Sequence, residues 1–208
     1  MPDGAPTRFR PESEGHPFMR LLLAAGADPN RGGLGVRYSP LHQAASRGHL
    51  ENVRLLLQAG GKPSVGDNGW WPLHEVFRNS LGDKEKTVGA LIDLLVGAGN
   101  PIDAQDDKGA TPLHMAAEDG SAFAVAALLS RKASVNIADK CGLTPLAYSL
   151  RPSEDRALAV AELLINARAN VNVMDTCERE SLLEKVDKAG YARLRQLLVA
   201  KGARKMLN

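Results

Sequence analysis

Aromatic residues are scarce in this sequence. They make up 4% of its 208 residues, whereas Leu and Ala recur along the whole chain. This composition suits closely packed helices better than a large β-sandwich or β-barrel. The hydrophobic content of 44% is enough for a substantial core and too high for a disordered chain. The composition therefore predicts a mostly helical protein.

Long hydrophobic runs are also missing. No apolar run reaches the ~18 residues that a membrane helix needs, and the first stretch, MPDGAPTRFRPESEGH, lacks the hydrophobic segment of a signal peptide. Only two cysteines, Cys141 and Cys177, are present, which is too few for a disulfide scaffold and agrees with a reducing compartment. From these absences we expect a cytoplasmic or nuclear protein that does not bind membranes.

The small net charge of +2 conceals an uneven distribution. Residues 1–64 carry 8 basic and 5 acidic side chains, residues 65–140 carry 7 and 11, and residues 141–208 carry 11 and 8. A nucleic-acid-binding protein more often concentrates its basic residues in one stripe. The acidic middle instead favours a protein partner that presents basic and apolar side chains.

A proline-containing motif recurs along the chain. In one copy Thr111 can cap a helix, and Pro112 is tolerated at the first helical position because its missing N–H is not needed there. Leu113, Ala116 and Ala117 then share one helix face. The copies are SPLHQAASRG (39–48), WPLHEVFRN (71–79), TPLHMAAEDG (111–120), TPLAYSLRP (144–152) and the degenerate ESLLEKVDKAG (180–190).

A second apolar segment and a polar tail follow each copy, as in AVAALLSRKASVN from residue 124. The motif prolines are separated by 32, 40 and 33 residues, and Ser181 replaces the proline 36 residues later. The underlying period is about 33 residues, which is typical of a helical repeat protein.

With this period and the Thr-Pro-Leu-His motif, the chain resembles the ankyrin-repeat family over residues 17 to about 204. The resemblance implies an all-α fold with short β-hairpin fingers, in which pairs of antiparallel helices stack into a curved solenoid. The apolar face of each pair agrees, because it cannot be buried without a neighbouring repeat.

We expect one monomeric ankyrin-repeat domain over residues 17–208, preceded by a poorly ordered extension over residues 1–16. The predicted units are a half repeat (17–30), repeats one to four (31–64, 65–103, 104–136 and 137–172) and a C-terminal capping repeat (173–204). Only four residues follow Arg204, so we expect no degradation-adaptor tail, although the chain is compatible with a piece of a longer protein.

The copies differ from one another at informative places. Repeats two and four carry extra residues at their helix-to-helix turns, at 79–86 and 151–155. Lys132 and Arg168 stand where the other units have Gly26, Gly60, Gly99 and Gly202, after the second helix. A left-handed residue is usual there, so we expect each substitution to cost about 1 kcal/mol of stability.

No group of residues in the sequence predicts catalysis, a metal or a cofactor. His42, His74 and His114 occupy equivalent positions in successive repeats, roughly 8–10 Å apart, whereas zinc needs nitrogens about 2 Å from one ion. The family resemblance implies that they bond the fingers of adjoining repeats. The GGLG stretch at 32–35 predicts a turn rather than a phosphate loop, and the basic C-terminal segment predicts a capping helix rather than a membrane-binding one.

The two cysteines lie at matching finger positions, each two residues after an aspartate. A disulfide would need their Cα atoms to lie within about 7 Å. We therefore expect two free thiols at the finger tips rather than a disulfide.

Partner binding is expected on the concave surface, formed by the fingers and the outward face of each first helix. Trp70 and Trp71 are the only tryptophans, and tryptophan is enriched at interaction hot spots. The alternative is that both rings only pack the finger against its neighbours. The predicted partner-binding residues are Tyr38, Arg47, Asp67, Trp70, Trp71, Glu75, Arg78, Asn79, Asp107, Met115, Glu118, Asp119 and Tyr148.

The sequence therefore predicts a non-enzymatic module that binds another protein through its concave face and fingers. A second hypothesis is a regulatory inhibitor or secreted effector that occludes a target enzyme. A catalytic site hidden in the repeats is a third, which the lack of a nucleophile, base and orienting group disfavours.

Overall fold

The structure, a computed structural model, describes residues 17–32, 38–78, 85–151 and 153–205. The extension expected at residues 1–16 and most of the insertion expected at residues 79–86 lie outside these ranges. Every helix in the described ranges is short, and no helix there is long and apolar enough to cross a membrane.

The described chain is built from helix pairs. A single helix, α1 (Pro17–Ala24), precedes them. The five pairs are α2 (Pro40–Ser46) with α3 (Leu50–Gln58), α4 (Pro72–Glu75) with α5 (Glu85–Gly97), α6 (Pro112–Asp119) with α7 (Ala122–Ser130), α8 (Pro145–Tyr148) with α9 (Glu154–Asn166), and α10 (Leu182–Ala189) with α11 (Ala192–Ala200). Helices pack against their partner in the pair and against helices of the adjoining pairs. The predicted all-α repeat solenoid is confirmed.

The first helix of each of the first four pairs begins at the motif proline, as the sequence predicts. The preceding residue is extended in each case, and Pro occupies the first helical turn, where no amide donor is needed. In the last pair, which has no proline, Ser181 caps α10 instead. Its amide donates to Glu184 Oε2 at 2.8 Å, and its hydroxyl accepts from the Glu184 amide, which completes a capping box.

Leucines at equivalent positions form the core of the stack. Because Ser181 caps α10 as Thr144 caps α8, Leu182 and not Ser181 stands at the proline position, and Leu183 is the motif leucine of the last pair. The motif leucine of each first helix is at most 5% exposed, and one leucine of each second helix is at most 1% exposed. These residues are Leu41, Leu73, Leu113, Leu146 and Leu183 in the first helices, and Leu56, Leu95, Leu128, Leu164 and Leu198 in the second. They belong to one continuous apolar cluster, so each repeat completes the core of its neighbour.

Each of the second helices α3, α5, α7, α9 and α11 is followed by a left-handed residue. Lys132 and Arg168 have φ values of 66° and 68°, which confirms the conformation predicted for them. At Arg168 the amide donates to Ile165 O, and the next amide donates to Leu164 O, both at 2.9 Å. This pattern is the Schellman closure of a helix, and the sibling units form it with glycine.

The fingers are hairpin turns that hydrogen-bond to one another through their backbones. Successive fingers are joined by the bonds Asp107 N to Asn68 O, Lys140 N to Lys108 O, and Thr176 N to Cys141 O, at 2.8–2.9 Å. Only the last finger contains strands within the described ranges, β1 (Met174–Asp175) and β2 (Glu180–Ser181), which pair antiparallel. The fingers therefore form a row with a regular spacing.

A side-chain ladder braces the loops after the second helices. Asn136 Nδ2 donates to Arg168 O at 3.0 Å, and Asn136 Oδ1 accepts from the Asn170 amide at 2.7 Å. Equivalent bonds join Asn30 to Gly60 and Lys62, Asp103 to Ser134, and Asn172 to Gly202 and Arg204. In repeat one, Ser64 stands at the position of Asn136. The residue that matches Asn170 is Pro101, which has no N–H, so the bond to this backbone amide is missing there among the described residues.

The prediction of two free cysteine thiols is wrong. Cys141 and Cys177 form a disulfide between the fingers of repeat four and the C-terminal repeat, and their Cα atoms are 5.2 Å apart. Fingers that stack in register bring matching positions within the 4.4–6.8 Å that a disulfide spans. The cysteines therefore no longer support the expectation of a reducing compartment.

Candidate functional site: a groove on the concave face

A groove of about 670 Å³ lies between the fingers and first helices of repeats two to four. Its floor and walls contain the apolar or aromatic side chains of Trp70, Phe77, Met115 and Tyr148. The residues around them are Asn68, Arg78, Asp106, Asp107, Lys108, Ala110, Glu118, Asp119 and Arg151. An apolar centre with a polar rim is the arrangement found at protein-binding surfaces.

Trp70 forms one side of the groove. Its indole Nε1 donates to Asp106 Oδ2 at 3.1 Å, and the Arg78 guanidinium carbon lies 5.7 Å from its ring centroid. The ring also stacks against His74, with centroids 6.1 Å apart. Trp70 is held in place by these contacts and remains partly exposed, so it presents a rigid aromatic surface to the groove.

Asp106 ties Trp70 to the next finger. Its side chain is only 8% exposed. Its Oδ1 accepts the amides of Lys108 and Ala110 at 2.8 Å, while its Oδ2 accepts the Trp70 indole. One carboxylate therefore shapes the finger of repeat three and orients the aromatic ring of repeat two.

Tyr148 forms the opposite side of the groove. It is 7% exposed, its hydroxyl donates to Asp139 Oδ2 at 2.9 Å, and its ring meets His114 edge-on with centroids 4.9 Å apart. Burial, together with the hydrogen bond to Asp139, raises the pKa of the Tyr148 phenol. The Arg151 guanidinium carbon lies over the ring, 5.1 Å from its centroid, so a cation covers this face of the ring.

Several charges of the groove are paired within the chain. Arg151 pairs with Glu118, and Arg156 Nη2 lies 3.8 Å from Asp119 Oδ2. Asp107 and Lys108 are exposed at the rim and form no ion pair with the described residues. The acidic character expected from the sequence is therefore partly neutralised around the groove.

Glu75 was predicted to face a partner, but its side chain is buried. It is 2% exposed, and its Oε2 lies 3.6 Å from Arg78 Nη1. Burial and the neighbouring Glu75 carboxylate raise the pKa of Tyr38. Glu75 therefore interacts with Tyr38 and Arg78 inside the protein and does not itself line the groove.

The other predicted partner-binding residues divide into two groups. Trp70, Arg78, Asp107, Met115, Glu118, Asp119 and Tyr148 line the groove together. Tyr38, Arg47, Asp67 and Trp71 lie outside its lining, and Asn79 lies outside the described residues. Trp71 precedes Pro72 at the start of α4, in the extended conformation expected of a capping position, and its side chain accepts no capping bond.

Six lining residues are absent from the predicted set: Asn68, Phe77, Asp106, Lys108, Ala110 and Arg151. Phe77 follows the four-residue helix α4 in a turn, where a helical periodicity no longer applies. Lys108 and Ala110 lie in a finger, and their position could have been inferred because Ala110 is equivalent to Trp70.

The three motif histidines have the structural role that the resemblance implies. His114 Nδ1 accepts the Thr111 amide at 3.0 Å, so its Nε2 carries the proton and donates to Leu143 O at 3.1 Å. His42 and His74 bond in the same way to the carbonyls of Trp70 and Ala110 in the next fingers. Burial lowers the pKa of all three, although the bonds to backbone carbonyls oppose this effect.

Stacked helix pairs, bonded fingers and a concave groove define a repeat protein of the kind that binds other proteins. The sequence model of ankyrin repeats, described as three copies, matches residues 12–93 and 82–175. The chain belongs to the ankyrin-repeat family. This family is a protein-interaction module, and its repeats are typically not catalytic.

Curated relatives carry similar repeats within longer proteins. The chain is 30% identical over 170 residues to the mouse B-cell lymphoma 3 protein homolog, which covers 81% of the chain and 36% of that protein. It is 34% identical over 128 residues to the palmitoyltransferase AKR1 of Lachancea kluyveri, covering 62% of the chain and 17% of that protein. A third is the E3 ubiquitin-protein ligase KEG of Arabidopsis thaliana, 29% identical over 140 residues, covering 64% of the chain and 8% of the relative. The chain thus spans well under two thirds of each relative.

Proposed function

We propose that the chain binds a partner protein through the concave groove of repeats two to four and performs no catalysis itself. The observation that carries this proposal is the rigid aromatic and apolar centre made by Trp70, Met115 and Tyr148. Such fixed aromatic side chains contribute contact area without losing much conformational freedom on binding.

The partner segment is expected to present an apolar side chain to this centre. The exposed Asp107 carboxylate at the rim favours a basic residue beside it, since the nearby Glu118 and Asp119 are already paired with arginines. The partner chemistry is therefore mainly apolar, with one or a few basic groups. This proposal retains the basic and apolar partner expected from the sequence but gives the apolar part the larger role.

A displayed library of random peptides, selected on the purified chain, tests the proposal. We expect the enriched peptides to contain an aromatic or aliphatic anchor close to Lys or Arg. Their affinity should fall more than tenfold for Met115→Glu, because this change places a charge in the apolar centre. Val199 is an exposed apolar residue on α11, so Val199→Glu is a matched control that should bind normally.

Intrinsic fluorescence provides a second measurement. Trp70 and Trp71 are the only tryptophans, and only Trp70 lines the groove. In a Trp71→Phe variant, a bound peptide should change the emission of Trp70. Peptides that bind Met115→Glu as well as the wild type, or that leave this emission unchanged, would contradict the proposed site.

The inhibitor hypothesis concerns the same groove and differs in the outcome for the partner. If a protein partner is an enzyme, its activity should be measured with and without a saturating amount of the chain. If the wild type inhibits the partner enzyme and Met115→Glu does not, the chain is an inhibitor. Full activity of the enzyme in the complex would identify a scaffold.

A further inference from the structure

The only two cysteines of the chain lie opposite each other in consecutive fingers. Cys141 belongs to the finger of repeat four, and Cys177 belongs to the finger between β1 and β2. Their disulfide joins residues 36 positions apart in sequence. Cys177 is exposed and Cys141 is half-buried, so reagents in solution reach the Cys177 sulfur more readily.

The backbone brings these residues together independently of the sulfur bond. The Thr176 amide donates to Cys141 O at 2.8 Å, which fixes the two fingers in register. The fingers also approach closely at Gly142, where an added Cβ would lie 2.9 Å from Met174 O. The two thiols of the reduced protein are therefore expected to remain within reach of each other.

Each cysteine also lies in a turn held by an aspartate. The Cys141 amide donates to Asp139 Oδ1, and the Cys177 amide donates to Asp175 Oδ1, both at 2.9 Å. Asp175 is in turn paired with Lys185 Nζ at 2.7 Å. These bonds hold both sulfur-bearing residues in defined conformations, which lowers the entropy lost when the disulfide forms.

We propose that Cys141 and Cys177 are a reversible thiol–disulfide site that cross-links the C-terminal repeat to repeat four. A small-molecule disulfide such as oxidised glutathione is the oxidant. The Cys177 thiolate attacks it, forms a mixed disulfide and releases one thiol. The Cys141 thiolate then attacks the Cys177 sulfur and releases the second thiol, so that two protein thiols are oxidised and one small-molecule disulfide is reduced.

The cross-link restrains the opening of the C-terminal repeat. Helices α10 and α11 form a unit that packs on repeat four, and such units in a repeat array can open while the rest stays folded. A covalent bond across a loop of this length removes much of the freedom that opening would give. We expect amide exchange in α10 and α11 to be about a hundredfold slower in the oxidised protein.

A metal site is the competing use of the same residues. Ligand atoms of Cys141, Cys177 and Asp175 lie within 4.8 Å of one another, the only such group of three or more among the described residues. Both oxygens of Asp175 are already in use, however. Burial acts to raise the pKa of Asp175, but its bonds from Lys185 and from the amides of Glu178 and Cys177 outweigh that effect and lower it. Because the charge of Asp175 is already compensated by these partners, it is a poor metal ligand, and the two cysteines are left to form the disulfide.

The test equilibrates the reduced chain with glutathione buffers of increasing oxidation, traps free thiols by alkylation and identifies the products by mass spectrometry. The wild type should lose two hydrogens and yield a peptide pair joined through Cys141 and Cys177. Cys141→Ser should accumulate a glutathione adduct on Cys177, while Cys177→Ser should form less adduct because Cys141 is half-buried. The double serine variant should not react.

Hydrogen exchange of both redox forms completes the experiment, with α6 and α7 as an internal reference. Slower exchange confined to α10, α11 and the joined fingers supports the proposal. Three results would overturn it: a stable mixed disulfide or a cross-linked dimer as the oxidised product of the wild type, equal exchange in both forms, or binding of one Cd²⁺ per reduced chain with an affinity that Asp175→Asn weakens at least tenfold.

Discussion

The left-handed conformation of Arg168 leads to a quantitative prediction. Arg168 has φ 68°, is exposed, and occupies a position where three sibling repeats have glycine at φ 87–96°. A residue with a Cβ costs roughly 1–2 kcal/mol in this conformation. Glycine avoids that cost but adds freedom to the unfolded chain, which offsets about 0.4–1 kcal/mol. Arg168→Gly should therefore stabilise the protein by about 1 kcal/mol.

The hydrogen bonds at this position survive the substitution because all of them use backbone atoms. The Arg168 amide donates to Ile165 O, and the Arg168 carbonyl accepts from Asn136 Nδ2. A gain of about 1 kcal/mol corresponds to a rise in melting temperature of about 2–4 °C for a chain of this size. Lys132→Gly should give a similar rise, and the two should add, because each acts within its own turn.

Thermal and urea unfolding followed by circular dichroism measure the change, with the cysteines kept in one redox state. Arg168→Ala is the matched control, since it removes the side chain but keeps the Cβ, and it should leave the melting temperature nearly unchanged. If Arg168→Ala stabilises as much as Arg168→Gly, the side chain and not the backbone is responsible. A lowered melting temperature of Arg168→Gly would refute the reasoning.

Three further predictions concern the histidines, a finger glycine and the groove wall. Burial lowers the folded-state pKa of the three motif histidines below the unfolded value of about 6.5. The stability that they contribute is therefore present above that pH and is lost as the pH falls toward the folded pKa. Urea unfolding should have a lower midpoint at about pH 5 than at pH 7, and an unchanged midpoint would contradict this prediction. Gly142→Ala should destabilise the protein by about 1–3 kcal/mol in a melting experiment, since φ is 79° and the added Cβ would lie 2.9 Å from Met174 O. Gly26→Ala is the control: its Cβ meets no atom within 4 Å, so the substitution should cost only about 1 kcal/mol. Tyr148→Phe should lower the stability by about 1 kcal/mol through the lost hydrogen bond to Asp139 and should leave the helix content unchanged. A loss of helix content would show that this bond does more than hold the Tyr148 side chain in the groove wall.

The sequence predicts the frame well because the frame depends on local patterns. The motif proline marks where the first helix of each of the first four pairs begins, and the position of the missing glycines correctly indicates the left-handed Lys132 and Arg168. The repeat period likewise brings the histidines to equivalent carbonyls. Each of these features involves a capping residue, a turn or a contact that recurs in several copies.

The groove is less predictable because it depends on how neighbouring repeats meet. Glu75 was expected to face outward, yet it is buried, and Tyr148 lines the groove with only 7% of its surface exposed. The helices that carry these residues are only four residues long and end in turns, so a helical periodicity does not place their side chains. The disulfide was missed for a related reason. The matching positions of Cys141 and Cys177 were visible in the sequence, but the distance between consecutive fingers is set by backbone bonds that no sequence pattern displays.

The interruption of the side-chain ladder at Ser64 and Pro101 affects how the array can deform. The junctions between repeats two, three and four, which frame the groove, keep their braces at Asp103 and Asn136. The joint between repeats one and two has one brace fewer, so thermal bending should concentrate there. A partner would then bind to a stiff groove in repeats two to four. Repeat one, which contains Tyr38 and Arg47, would be more flexible and could move toward the bound partner.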